Sequence, residues 1–139
     1  MQANVRAVYK LLYGKVSAKT NDGLLIWGVL LCVSFPLIAY FDEKNYLVIH
    51  LSIALVFFLS TCVYANKLSS ILHRHKSQFN SSTHGLIDFL NGLGWVMLGV
   101  GILMGIVWYI GFHPEILKWL LALMYMNYFM FASKMNTYY

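Results

Sequence analysis

The chain has 139 residues, of which 60% are hydrophobic and only 11% charged, with a mean hydropathy of +0.64. That composition excludes an ordinary soluble domain and points to a membrane protein. Ten Lys and Arg against five Asp and Glu give a formal charge of +5. The cations fall in a few short stretches, so the excess reads as a topology signal and not as a nucleic-acid footprint.

Crossing a hydrocarbon core of about 30 Å takes about 20 apolar helical residues, and four such runs use most of the chain. The expected fold is therefore an all-α membrane protein, a four-transmembrane-helix bundle with both termini inside and an N-terminal amphipathic interfacial helix. Residues 1–22 are the cytoplasmic or interfacial segment and residues 23–139 the transmembrane domain. The polar stretches 1–22 and 66–85 are too short for a soluble catalytic domain. Cys32 and Cys62 lie in apolar runs and read as small buried hydrophobes.

In residues 3–19, Val5, Val8, Tyr9, Leu12 and Val16 share one helical stripe, with Arg6, Lys10 and Lys15 beside it. Such a helix lies in the interface with its cations on anionic lipid, or packs its stripe on the protein. The first span, 23–41, is too long for a signal peptide and lacks a small-x-small cleavage site, so it reads as uncleaved. Pro36 is expected to kink it. Asp42 to Asn45 make a tight hairpin into the second span, 46–65. In the loop 66–85, His73-Arg74-His75-Lys76 reads as solvated and basic, and Ser82 or Thr83 as an N-cap. The third span, 86–112, exceeds the core thickness and must tilt or protrude. The fourth, 114–132, opens on Pro114 in its first turn.

Arg6, Lys10, Lys15, Lys19, Lys67, Arg74, Lys76 and Lys134 then share one side, against Lys44 and Lys118 on the other. The positive-inside rule puts the richer side in the cytoplasm, and the expected location is a multi-pass site in a bacterial inner membrane. Tyr40, Phe41, Tyr46, Trp108, Tyr109 and Trp119 fall at the outer boundary. Trp27, Tyr64, Tyr125 and Tyr128 fall toward the inner one, as aromatic belts do.

Ionisable and amide side chains within spans are functional candidates. His50 lies about 6 Å into the second span, with Ser34, Ser52 or a headgroup as candidate partners. Asp88, Asn91 and Asn127 lie at similar depth on the inner side. Together they suggest an ion or proton site, a contact for a partner helix, or simple interhelical glue. The midplane between is apolar, which argues against a conducting path through one chain. His50 is the lone histidine within a span, so haem would require a second subunit. No cofactor and no metal site is expected, and no catalytic constellation appears at a common depth.

Glycine distinguishes the third span. At 100° per residue Asp88, Gly92 and Gly99 share one side, while Gly94, Gly101 and Gly105 lie nearly opposite, with Gly101 and Gly105 in GxxxG spacing. Two small-residue faces suggest a helix packed between two neighbours, either one of them from another chain or both from the protein's own spans. The spacing Asn91-x2-Gly94-x4-Gly99 resembles that of small four-span fluoride channels. Their Phe- and Thr-rich broken helix has no counterpart in this sequence, and no function follows.

The sequence thus points to a non-enzymatic protein that contacts the lipid bilayer and a membrane-protein partner through its helices, as accessory subunit, regulator or immunity-type protein. The alternative is a homo-oligomeric ion channel or small transporter with a polar site around Asp88, Asn91 and Asn127.

Overall fold

The computed structural model describes residues 2–111 and 115–137, and among them the regular structure is entirely helical. Five α-helices follow in order: α1 Gln2–Leu12, α2 Ala18–Tyr40, α3 Leu47–Arg74, α4 His84–Tyr109 and α5 Glu115–Thr137. Two short 3-10 turns, Lys76–Gln78 and Ser81–Thr83, connect α3 to α4. Three described segments are long and apolar enough to cross a membrane: Ala18–Tyr40, Leu47–Arg74 and Ser81–Tyr109. The expected end of the third span at Phe112 and the first-turn role of Pro114 lie outside the described residues.

Helix ends depart from the sequence reading at four places. The helical stripe expected through Val16 stops at Leu12, where Gly14 takes a φ of +79° that a β-carbon disfavours. Ser17 then caps α2 by accepting the Thr20 N–H at 3.3 Å, so α2 begins ahead of its apolar run. The stretch after Ala65 is not a loop: α3 runs on to Arg74, because Ala65, Leu68, Ser69 and Leu72 continue its buried stripe at helical spacing. Thr83 stands at the N-cap of α4 without capping it; its hydroxyl donates back to the Asn80 carbonyl at 2.7 Å. Pro36, for its part, stays within α2.

Residues 1–64 and 65–139 form two compact units, with α3 contributing to both. In the first unit α1 packs on α2. Val5, Val8 and Leu12 are buried while Arg6 and Lys10 stay exposed, so the apolar stripe of α1 is occupied by protein contact. Gly28 makes the close approach possible: a β-carbon there would lie 2.6 Å from Val5 Cγ1 and 3.1 Å from Tyr64 Cε2. Tyr9 ties the two helices at both ends. Its hydroxyl donates to Asp22 at 3.2 Å, and its carbonyl accepts from the Asn21 amide at 3.1 Å. The bond to the Asp22 carboxylate raises the phenol above its ordinary value. This tie is therefore present at neutral pH and lost as pH rises through the raised value.

In the second unit α4 packs against α5, and Ile87, Leu90, Gly94, Met97 and Met104 of α4 are buried. Polar side chains such as Ser34, Ser60, Thr61 and Ser69 are also buried, while Ile26, Val33, Trp95 and Ile102 are each more than half exposed. Apolar outside and hydroxyl inside is the arrangement lipid favours, since hydroxyls there must find partners within the protein.

Gly28→Ala is expected to loosen α1. Overpacking costs about 1–3 kcal/mol and outweighs the gain of up to about 1 kcal/mol in helix propensity. Gly23→Ala, where a β-carbon meets nothing within 4 Å, is expected to keep the gain alone. Limited proteolysis of residues 2–16 in detergent distinguishes the two: faster cleavage for Gly28→Ala, unchanged for Gly23→Ala.

Candidate functional site

The candidate residues separate into three places. At the α3–α4 turn, the Asp88 carboxylate receives Lys76 Nζ at 2.5 Å and stands 3.3 Å from His73 Nδ1. It is half-exposed, and so is held by Lys76 and His73 at the edge of the unit. Asn91 is half-buried. Asn127 donates its amide to the Leu123 carbonyl of its own helix at 2.9 Å. Among the described residues no hydrogen bond joins Asp88, Asn91 and Asn127, and the Lys76 and His73 partners of Asp88 come from the segment expected to be loop.

His50 also has a definite partner, although none of those anticipated. Its Nδ1 lies 2.6 Å from the carbonyl of Phe41, the residue that closes α2. A carbonyl only accepts, so Nδ1 carries the proton. The ring thereby satisfies one of the carbonyls that a helix C-terminus leaves without an intrahelical donor. Asp42 completes the hairpin: its two carboxylate oxygens accept the Asn45 backbone N–H at 2.7 Å and the Asn45 amide at 2.9 Å. These bonds, the side-chain one foremost, hold the Asp42 carboxyl below its ordinary value. The geometry assigns His50 and Asp42 to joining α2 and α3.

The glycines of α4 divide by face. A β-carbon on Gly94 would lie 2.9 Å from Ser69 Oγ and 3.2 Å from the Ala65 carbonyl, whereas Gly92, Gly99 and Gly105 meet nothing within 4 Å. Gly101 is half-buried, on the Gly94 side. The outward face of Gly92 and Gly99 carries Asp88, Trp95, Ile102 and Ile106, all exposed. Of the N-terminal cations, Arg6 and Lys10 are exposed and Lys15 is half-buried.

The sequence reading did not identify the contact beneath Gly94. Ser69 Oγ lies 2.6 Å from the Ala65 carbonyl, 2.9 Å from the Leu90 carbonyl and 2.7 Å from the Tyr128 hydroxyl. Tyr128 donates to the Ala65 carbonyl at 2.9 Å. Two hydroxyls carry two protons, so two of these bonds form at a time. Tyr128 to Ala65 with Ser69 to Leu90 serves both carbonyls. Tyr128 and Tyr64, placed above in the inner aromatic belt, are instead buried at 0% and 1% exposure. A Ser and a Tyr at helix-facing positions, opposite a glycine, were the available signal.

Among the described residues no three His, Cys, Asp or Glu side chains converge as a metal site requires. Comparison with known proteins finds no matching family model, curated protein or solved structure.

Tyr128→Phe is expected to cost about 0.6–1.7 kcal/mol, the range of interhelical hydrogen bonds in membranes. Gly94→Ala, which displaces Ser69, is expected to cost about 1–3 kcal/mol; thermal unfolding in detergent ranks the two. The Asp42 turn is expected to be intact above the ordinary carboxyl range and to be lost as pH falls through the lowered value. The Asn45 amide resonance in micelles should titrate with a midpoint below that of an ordinary Asp carboxyl.

Proposed function

We propose that this chain is a small multi-pass protein of a bacterial inner membrane that works without catalysis, by helix–helix contact with a membrane-protein partner. The observation that carries this reading is the outward face of α4, where Gly92 and Gly99 are exposed with open space before them. Trp95, Ile102 and Ile106 stand exposed around them. Glycines let a second helix approach to van der Waals distance, which is the main attraction available between helices in lipid. A partner could be an accessory target, a regulated protein or a pore-former to be neutralised.

In this reading α5, with 23 residues, is the fourth span. The distribution of basic residues supports both termini on the cytoplasmic side. Arg6, Lys10 and Lys15 face the lipid headgroups while the stripe of α1 rests on α2. A homo-oligomeric channel or transporter is the second reading, and one observation favours it: Asp88 is half-exposed on the same face as Gly92 and Gly99, so a symmetric ring closed through that face gathers one carboxylate per subunit.

Gly99→Leu is expected to abolish co-purification of the partner while leaving the thermal unfolding of the chain within about 0.5 kcal/mol, since the site is exposed. Retained co-purification counts against the adhesion reading. Ion flux in vesicles that Asp88→Asn removes, with assembly intact, favours the second.

A further inference from the structure

Residues 67–84 gather Lys67, Arg74 and Lys76 with His73, His75 and His84, and the nearest acid in sequence is Asp88. Helix α3 carries this charge to its end. Lys67 and Arg74 are seven residues apart, two helical turns, and therefore share a face; both are exposed. Asp88 is committed to Lys76 and His73, which leaves Lys67 and Arg74 as cations with no carboxylate partner among the described residues. The turn that follows is polar and open, with Ser77, Gln78, Asn80, Ser81 and Ser82 exposed.

The location decides what such a surface meets. Leu47–Arg74 and Ser81–Tyr109 are both membrane-spanning by length and composition, so the turn between them lies at the depth of the headgroups of one leaflet. Cations at that depth attract anionic lipid, and the long stems of Lys67 and Arg74 lie along the helix while their heads reach the phosphates. We propose that the α3–α4 turn is a binding site for the phosphate headgroups of anionic phospholipid, built on Lys67 and Arg74, and that Asp88 sets its strength by holding Lys76 and His73 back. The site does not depend on the partner contact proposed for α4.

Full-length protein purified in mild detergent and offered equal amounts of phosphatidylglycerol and phosphatidylcholine should retain phosphatidylglycerol preferentially, as read by native mass spectrometry, and lose the preference in high salt. Each cation is expected to contribute about fivefold. Lys67→Gln with Arg74→Gln should therefore reduce the preference by roughly 25-fold. Asp88→Asn should increase it. Equal retention of the two lipids by the wild-type protein overturns the proposal whatever the variants do. So does a preference that survives Lys67→Gln/Arg74→Gln, or displacement of the lipid by an acidic peptide at lower concentration than by phosphatidylglycerol itself.

Discussion

Ser69 Oγ rests against the backbone of α4 at Gly94, and the second unit is arranged around that approach. In lipid the acyl chains are as apolar as Leu, so helices do not associate by escaping solvent. They hold through close packing and through hydrogen bonds that have no water to compete with. The absence of a side chain at position 94 supplies the first, and the two hydroxyls of Ser69 and Tyr128 supply the second. With two protons for the Ala65 and Leu90 carbonyls, the pair is fully used and neither donor is in surplus. Methionine and leucine of α4 fill in around it, with Leu90 and Met97 at 0% exposure.

The first unit solves the same problem with different residues. Gly28 replaces Gly94 as the point of approach, and Val5 fills the space that a β-carbon would occupy. Tyr9 replaces the hydroxyl pair, donating to one polar side chain of α2 and accepting from its neighbour. At the other end of α2, His50 and Asp42 satisfy the backbone of a tight turn. Both units thus combine a glycine with a tyrosine, and both leave further apolar side chains, such as Ile26, Val33, Trp95 and Ile102, facing outward, where acyl chains solvate them.

Much of this was legible in the sequence because hydropathy and length are local quantities. The apolar runs predicted four spans, and three described segments are long and apolar enough to cross a membrane; Val5, Val8 and Leu12, on the predicted stripe, are buried in α1. What escaped the sequence lies in pairings between distant residues. Tyr128 looks like an interfacial aromatic until Ser69 is placed beside it. His50 looks solitary because its partner is a backbone carbonyl, which no side-chain inventory contains. Lys67 and Asn66 disguised the continuation of α3, since two adjacent polar residues, one exposed and one half-buried, interrupt a hydropathy run without interrupting a helix. The glycines of α4 were visible as two faces, but only coordinates distinguish the occupied Gly94 from the open Gly92 and Gly99.

The sequence distances of these contacts also order the assembly of the chain. Tyr9 meets Asn21 and Asp22 across separations of 12 and 13 residues, so α1 can dock as soon as the first turns of α2 exist, with little loop entropy to overcome. Ser69 and Tyr128 are separated by 59 residues, and their contact must wait until α5 has been synthesised and has met α3 and α4. Until then Ser69 bonds back to Ala65 within its own helix, a provisional partner that keeps the hydroxyl satisfied while the rest of the unit is being made.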